Sequence, residues 1–420
     1  TADLLQEQIS ELQNQANTPH SDKDYSVAYV GVADKENNYD TISDALTSLK
    51  AHSSEYDNLE LVLNSGTYSE QLVVDVPNLK MRTYTGEKDV TVTWYYGIGY
   101  TYYSADSATG HYSKSAATQK ASRAAVKDWG GTVILTNNAE NFSAENIVFE
   151  NSFNKRVTDL EIADGVTAEP SAYKDTSITL DRTEKDFAPT SRAATERAAA
   201  MVIRSDKAEF NNCDFIGSQD TLYFGANSSS TSYRGYFKNC NIYGMTDFIF
   251  GFGNVIFQKC KLLFCGYSDN YTERAFITAN KAADKGFLFD RCEVDYDTSL
   301  NSNIPDRKFY LGRTWGIGAK TIFSKTVFDH MGIFNDDFWT EMSGSVAESE
   351  YKEAKSFDGD TLIKSEDITN TTRASRYSDS FSYSCSEWFS DWTPTGFEET
   401  LENAFYDFKC NNEGAYNESI

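Results

Sequence analysis

Short apolar runs separated by polar turns dominate the chain from residue 59 onward. The runs LELVL at 59–63, VIL at 133–135 and NIVF at 146–149 are typical. Segments of this length that are rich in aliphatic residues predict β-strands. Asn-Gly hairpin signals do not separate them, so the pattern favours strands that stack in parallel over strands that pair in antiparallel hairpins.

Four of these segments repeat the pattern Phe-x-x-Cys, with variable spacing between the copies. They are FNNC at 210–213, FKNC at 237–240, FQKC at 257–260 and FDRC at 289–292. A motif that recurs while the intervening lengths vary is typical of a solenoid whose strands keep register and whose loops differ. The sequence therefore predicts an all-β fold, a right-handed single-stranded parallel β-helix.

The rest of the chain divides around this predicted coil. Residues 1–24 are expected to form an N-terminal helix, over 2–16, and a lead-in; residues 25–344 form the coil and include a second helix over 43–51. Residues 345–420 are expected to wrap back over the coil, with Trp388, Phe389 and Trp392 as packing anchors. Two stretches, 93–129 and 154–197, interrupt the strand pattern and are interpreted as loops bordering a binding groove.

Composition limits the classes of partner. The net charge of −25 disfavours nucleic acid, whose phosphates demand a basic surface. It also disfavours tight binding of an already acidic polymer, whereas a neutral esterified polymer fits better. No apolar run approaches the ~20 residues of a membrane span. The seven cysteines contain no C-x-x-C pair, so we expect no metal site and no cofactor.

Aligning two repeats indicates where the chemistry lies. Residues 210–220, FNNCDFIGSQD, and 237–247, FKNCNIYGMTD, share Phe, Asn, Cys, Gly and Asp at the same offsets. Asp220 and Asp247 should therefore lie on successive coils, about 4.8 Å apart in strand spacing. Two carboxylates at that distance cannot both ionise freely, so one pKa rises and the pair separates into an acid and a base or nucleophile. Aspartates that merely cap turns are the alternative.

Five segments, in order along the chain, resemble the signature segments of the pectin methylesterase (pectinesterase) family, in its bacterial type. They are GTYSE at 66–70, GSQDTLY at 217–223, GMTDFIFG at 244–251, FITAN at 276–280 and YLGRTW at 310–315. The resemblance covers about residues 25–343. It implies a secreted, monomeric parallel β-helix enzyme, free of cofactors, that hydrolyses C6 methyl esters of methylated homogalacturonan (pectin) and releases methanol.

The resemblance also implies a role for each matched residue. Asp247 would be the nucleophile that forms an acyl-enzyme, and Asp220 the general acid and then base. Gln219 would donate to the oxyanion, and Arg313 would keep Asp247 ionised and oriented. The substrate-binding residues would be Trp315, Phe250, Tyr223, Arg197 and Thr132.

One position departs from the family pattern. Counting back from Gln219 without gaps places Arg197 where the family carries a second glutamine, and this is not a conservative exchange. The cysteines leave two interpretations open. Family members suggest a disulfide that would correspond to Cys240–Cys260, whereas a ladder of reduced thiols would fill the core equally well.

Three alternatives remain at this stage. A polygalacturonase or pectate lyase shares the expected fold, but would require a glycosidase carboxylate pair or a calcium-binding acidic cluster with a base. A non-catalytic pectin-binding β-helix would bind the polymer and release no methanol. An esterase or lyase of the same fold could act on another acidic-sugar polymer. The Gln-Asp pair and the Arg-x-Trp segment favour the pectin esterase.

Overall fold

The computed structural model describes residues 23–168, 182, 196–265, 274–298 and 304–399. Its strands stack in parallel into three long sheets, and from Leu59 to Glu341 each coil of the chain contributes one strand to each sheet in the order A, B, C. The predicted parallel β-helix is therefore confirmed. The predicted N-terminal helix at 2–16 and most of the second insertion lie outside the described residues.

The strands are as follows, in their order along each sheet. Sheet A contains Asn38–Tyr39, Val27–Val30, Leu59–Leu63, Leu79–Thr83, Ser143–Glu145, Ala208–Asn211, Arg234–Lys238, Asn254–Gln258, Gly286–Asp290, Lys320–Ser324, Glu350–Ala354 and Tyr377–Ser378. Sheet B contains Gly66–Ser69, Val90–Trp94, Ile147–Asn151, Asp214–Ile216, Asn241–Gly244, Lys261–Phe264, Glu293–Tyr296, Val327–Phe328, Phe357–Asp358 and Thr361–Leu362. Sheet C contains Leu72–Val74, Val133–Leu135, Met201–Ile203, Leu222–Phe224, Ile249–Gly251, Ala275–Asn280, Phe309–Thr314 and Trp339–Glu341.

The Phe-x-x-Cys repeat is the turn between sheets A and B. Its third residue has a left-handed backbone, with φ of 52° at Asn212, 54° at Asn239 and 53° at Arg291. This turn directs the phenylalanine before it and the cysteine after it into the core. The rings of Phe210, Phe237, Phe257, Phe289 and Phe323 stack with centroids 4.3–4.8 Å apart. The motif is thus the internal ladder that keeps successive coils in register.

The cysteines of the repeat form a second ladder beside the phenylalanines. Cys213, Cys240, Cys260 and Cys292 are fully buried, and all six cysteines in the described part of the chain are free thiols. Burial raises the pKa of the Cys240 thiol well above its usual range. Of the two interpretations of these residues, the structure therefore has the reduced ladder, in which sulfur serves as an apolar filler.

Helix Ile42–Ala51 covers the N-terminal part of the coil, where the sequence predicts a helix over 43–51. Thr41 caps it through its side chain, and four apolar residues face the core: Ile42, Ala45, Leu46 and Leu49. Glu70 accepts hydrogen bonds from the backbone N–H groups of Ile42 and Ser43 and from the Ser43 hydroxyl. The glutamate of the GTYSE segment therefore holds this helix N-terminus, which favours a negative charge.

The first insertion folds over the outside of the coil. It contributes helix Lys114–Gln119, the 3₁₀ turn Asp128–Gly130 and two strands, Tyr100–Tyr102 and Ala124–Ala125, which pair with each other; Thr167–Ala168 also pairs with the first of them. An aromatic core of Trp94, Tyr95, Tyr96 and Tyr102 attaches it to the coil. Helix Asp159–Asp164 follows it.

The C-terminal residues pack on the outer face of sheet A. Helix Cys385–Phe389 places Trp388 and Phe389 in an apolar cluster with Tyr236 and Ile256 of sheet A, and Trp392 contacts the same cluster. The remaining short helices are Thr371–Ala374 and the 3₁₀ turns Met331–Ile333, Val346–Glu348 and Ser365–Asp367. Stacked strands continue past residue 344 to Tyr377–Ser378, and the predicted division at 344 stays a prediction. In the part of the chain that is described, no helix has the length and apolarity needed to cross a bilayer.

Candidate active site

The two predicted aspartates occupy the corner between sheets B and C on adjacent coils. Gln219 pairs with Thr246 in a parallel bridge, and the N–H of Asp220 donates to the carbonyl of Thr246 at 3.0 Å. The strands that follow align Leu222 with Ile249. Asp220 and Asp247 therefore stand one above the other, one strand spacing apart, which is about 4.8 Å.

Both aspartates have left-handed backbones, with φ of 58° at Asp220 and 50° at Asp247. Aspartate is one of the few residues other than glycine that enters this region at small cost. The conformation makes the corner sharp, and the repetition of the same φ on two coils keeps the two side chains in equivalent positions. The sequence alignment gave the equivalence but contained no signal for the backbone conformation.

Both carboxyl groups are buried, with 6% and 7% of their residue surfaces exposed at Asp220 and Asp247. Burial, together with the negative charge of Asp247, raises the pKa of Asp220 well above its ordinary value. Burial also raises the pKa of Asp247, but the hydrogen bonds and charge of Arg313 oppose that rise. Arg313 therefore favours the ionised form of Asp247, and the negative charge of Asp247 favours the protonated form of Asp220.

Arg313 reaches Asp247 from sheet C. Its Nε lies 2.7 Å from Oδ1 of Asp247, and its Nη2 lies 2.6 Å from Oδ2. This two-pronged contact fixes the carboxylate plane. The guanidinium also lies over the Phe276 ring, 4.1 Å from its centroid. The sequence predicted that Arg313 lowers the Asp247 pKa; it does, but burial outweighs it and the net direction is upward.

Arg197 lies one coil before Gln219, in a parallel bridge with it. The positive charge of Arg197 lowers the pKa of Asp220, against the larger effect of burial. Arg197 is anchored by Glu196, whose Oε1 accepts from the Arg197 backbone N–H at 2.9 Å. The position that departs from the family pattern therefore places a cation next to the carboxyl pair. Glu196 was not predicted as a site residue, and only its place beside Arg197 in the sequence points to it.

Aromatic side chains line sheet C beside the carboxyl pair. Tyr223 and Phe250 are adjacent in register, with ring centroids 5.0 Å apart, and Trp315 lies 5.9 Å from Phe250. The structure therefore brings all three predicted aromatic residues to one face. Lys281 lies over the Trp315 ring, with its Nζ 3.9 Å from the centroid.

Trp129 joins this aromatic face and was not predicted. Its ring stacks on Tyr223 with centroids 4.2 Å apart and meets Phe250 edge-on at 5.3 Å. It comes from the first insertion, where Asp128 is held by His111 at 2.7 Å and by Arg204 at 3.0 Å. Its sequence signal is weak because a tryptophan in an irregular loop carries no repeat by which to align it with the coil.

Thr132 is placed differently from the other predicted residues. It is fully buried, and its hydroxyl donates to the backbone carbonyl of Glu150 at 2.7 Å. In this structure the side chain connects two parts of the backbone and does not reach the aromatic face.

One group of acidic residues outside this corner has the spacing of a metal site. The carboxylate oxygens of Glu293, Asp295 and Asp329 lie within 4.8 Å of one another. Lys261 pairs with Glu293 at 2.6 Å, and His330 pairs with Asp295 at 2.6 Å. Burial and the neighbouring Glu293 raise the pKa of Asp329 to about 7. Two of the three carboxylates thus already have side-chain partners.

The corner therefore combines a proton-holding carboxyl, a second carboxyl fixed by a guanidinium, and amide and guanidinium donors one coil away. Such a set can attack a carbonyl carbon, donate to the oxygen that becomes negative, and supply a proton to a leaving group. The adjoining aromatic face offers flat apolar surface for a ligand.

Comparison with known proteins finds a family match over part of the chain. Residues 166–359 match the family model described as pectinesterase. The chain is 34% identical over 147 residues to a pectinesterase of Petunia integrifolia, covering 34% of this chain and 37% of that relative. It is 36% identical over 120 residues to a pectinesterase of Ralstonia nicotianae, covering 29% and 30%. The matched stretch thus spans about a third of each relative.

Solved structures resemble the fold over a larger part of the chain. The pectin methylesterase PemA from Erwinia chrysanthemi matches with a TM-score of 0.59 at 19% identity, over 89% of this chain and 99% of that one. The pectin methylesterase from Aspergillus niger matches with a TM-score of 0.57 at 21% identity, over 89% and 98%. At these identities the likeness establishes the shared fold.

Proposed function

We propose, from the match of residues 166–359 to the pectinesterase family model, that the protein is a pectin methylesterase. It hydrolyses the C6 methyl esters of methylated homogalacturonan to free carboxylates and methanol. The observation that carries the proposal is the asymmetry of the buried pair, since Arg313 contacts Asp247 while the pKa of Asp220 lies well above its ordinary value.

In the first half-reaction an oxygen of Asp247 attacks the ester carbonyl carbon. The carbonyl oxygen becomes an oxyanion, to which the Gln219 side-chain amide donates a hydrogen bond, and the Arg197 guanidinium adds positive charge nearby. The bond to the methoxy group then breaks, and the leaving oxygen takes the proton of Asp220. Methanol departs and an acyl-enzyme remains on Asp247.

In the second half-reaction Asp220, now a carboxylate, takes a proton from water as the water oxygen attacks the acyl carbon. Collapse of the second tetrahedral intermediate breaks the bond to Asp247 and regenerates both aspartates in their starting protonation states. The product acid releases its proton to solvent. Each turnover therefore produces one methanol and one proton, and the sugar backbone stays intact.

We infer that the aromatic face beside the pair binds the sugar rings. Tyr223, Phe250 and Trp315 lie along sheet C, with Trp129 stacked against Tyr223. Flat apolar rings suit the apolar faces of galacturonate residues. A neutral methyl ester suits a protein of net charge −25 better than the acidic product does. The polymer is a cell-wall component, so the proposed site of action is extracellular, and the proposed working form is a monomer.

The test is methanol and proton release from highly methylated pectin, with polymer length followed in parallel. We expect equal amounts of methanol and acid, with no new reducing ends and no unsaturated products. New reducing ends would identify a glycosidase and unsaturated products a lyase. Binding of the polymer without methanol would identify a non-catalytic pectin-binding protein. Any of these three outcomes would refute the esterase assignment.

A further inference from the structure

A cavity lies on the same face of the coil as the carboxyl pair, nearer the N-terminal end of the coil. It has a volume of about 1060 Å³ and is bounded by helix Ile42–Ala51, sheet C and the first insertion. Val73 in its floor belongs to the register row that continues through Ile134, Val202, Tyr223 and Phe250. Four strand spacings, roughly 19 Å, separate Val73 from Phe250.

The cavity has an unusual concentration of exposed apolar surface. The described residues include eight large hydrophobic side chains that are exposed, and three of them line this cavity, namely Val73, Tyr112 and Leu160. Tyr112 is 40% exposed and is held edge-on against Trp94, with ring centroids 5.1 Å apart. An aromatic ring that is rigidly held and open to solvent is typical of a ligand site.

The charges of the lining favour a neutral ligand. Four acidic residues and three lysines contribute to it: Asp44, Glu70, Asp75 and Asp164, with Lys50, Lys114 and Lys120. Most of the acids are already engaged within the protein. Glu70 binds the helix N-terminus, Asp164 accepts from Tyr95 and from the backbone of Ser104, and Asp75 pairs with Lys50. The lining offers no surplus of cations to an acidic polymer.

We propose that this cavity is a second polymer-binding site, which takes a methyl-esterified stretch of the same galacturonan whose scissile ester lies at Asp247. The inference rests on the proposed function. Trp129, from the same insertion that borders the cavity, is stacked on Tyr223, and the polymer passes over its ring. Because both sites bind one chain, occupation of the cavity raises the effective concentration of substrate at the carboxyl pair. The enzyme accordingly prefers long substrates that are esterified at a distance from the reacting residue.

The experiment fills the cavity without touching the carboxyl pair. Ala117 lines the cavity from helix Lys114–Gln119, so Ala117→Trp would occupy it. Ser115→Trp is the matched control, since Ser115 is exposed on the same helix and does not line the cavity. Tyr112→Ala, which removes the exposed ring, is a second variant. Each is assayed on long methylated oligogalacturonates and on a methylated trimer too short to reach both sites.

For Ala117→Trp and Tyr112→Ala we expect a roughly tenfold loss of kcat/KM on the long substrate, the equivalent of about 1.4 kcal/mol. We expect no change on the trimer, and no change for Ser115→Trp on either substrate. Equal activity of the filled variant and the wild type on the long substrate would overturn the proposal. A parallel loss on the trimer would overturn it as well, because the effect would then not come from a distant stretch of polymer.

Calorimetric titration of the Asp247→Asn protein separates this proposal from the esterase assignment. The long methylated oligomer should bind the Asp247→Asn/Ala117→Trp double variant more weakly than it binds Asp247→Asn alone. The saponified form of the oligomer should bind Asp247→Asn weakly. Tighter binding of the saponified form would contradict the neutral-ligand assignment. A wild-type protein that releases no methanol from any substrate would refute the esterase function, while the titration would still report on the cavity.

Discussion

Two corners of the coil share a left-handed backbone conformation and use it for different purposes. At the turn between sheets A and B, Asn212 and Asn239 have φ of 52° and 54°; at the corner between sheets B and C, Asp220 and Asp247 have φ of 58° and 50°. The asparagines are partly exposed, and Asn212 donates to Asn146 of the preceding coil at 2.8 Å. The aspartates are buried and coupled to each other.

The comparison shows that a left-handed corner stacked on successive coils is a structural device without chemistry of its own. Catalytic chemistry becomes possible where other parts of the chain cover such a corner and bury its side chains. The first insertion brings Trp129 over one side, and Arg313 approaches from a later strand. Burial then raises the carboxyl pKa values, while the two-pronged contact of Arg313 with Asp247 makes the two carboxyls unequal.

The largest difference between the corners should appear in catalysis. Asp247→Ala and Asp220→Ala should each lower methanol release by about 10⁴-fold or more, because nucleophile and general acid act as one unit. Asn239→Ala, at the equivalent turn of the other corner, should retain wild-type turnover. Circular dichroism checks that all three proteins are folded. Substantial turnover in either aspartate variant would remove the basis for the assigned roles.

Arg313→Gln should cost about 100-fold in kcat, in line with the loss of one charge-stabilising group. It should also move the pH profile. The guanidinium favours the ionised form of Asp247, so its removal raises the pKa of that carboxyl. The acidic limb of kcat/KM should therefore shift to higher pH. An unchanged acidic limb would mean that Asp247 is not the group that must be ionised.

The raised pKa of Asp220 should also change how the free energy of unfolding depends on pH. Its pKa is raised in the folded state, so folding retains a proton that the unfolded chain loses as pH rises above about 3.9. The contribution of Asp220 to stability therefore falls as pH rises toward its folded pKa, and Asp220→Asn removes that contribution. We expect the variant to be more stable by about 1 kcal/mol at pH 7 and equal at pH 3, as measured by chemical denaturation. Equal stability at both pH values would contradict the raised pKa.

At the structural corner, Asn239→Ala should destabilise the protein by about 1 kcal/mol, because alanine tolerates the left-handed conformation less well than asparagine. Asn239→Gly is the matched variant, which removes the steric cost and should remain close to wild type. Thermal denaturation measures both. A destabilised glycine variant would show that side-chain contacts of Asn239, and not its backbone conformation, are what stabilise the turn.

Arg197→Gln should have the smallest effect. It replaces a cation with the residue that the family pattern carries at this position, so an oxyanion donor remains and turnover should change by only a few fold. Arg197 lowers the pKa of Asp220, so its removal should move the basic limb of kcat/KM to higher pH. A basic limb that stays in place would place Arg197 outside the electrostatic reach of the acid.

Sequence reasoning succeeded where the coil repeats. The Phe-x-x-Cys ladder and the alignment of Asp220 with Asp247 follow from register, and register depends on contacts between equivalent positions of neighbouring coils. It was less successful at Thr132, assigned to the substrate but buried against Glu150, and at Trp129, which was not predicted. Both depend on how an irregular segment folds back on the coil, for which the sequence provides no periodic signal.

The sequence by itself determined the parallel coil and the pairing of two aspartates, because each is a local pattern repeated on adjacent turns. Only the tertiary structure showed that burial outweighs the guanidinium at Asp247, that Trp129 joins the predicted rings, and where a cavity opens beside the first insertion. Those properties arise from burial and charge contributed by residues distant in the chain, such as Arg313 against Asp247 and the first insertion against sheet C. The size of these contributions depends on distances in three dimensions, and a pattern along the sequence does not contain those distances.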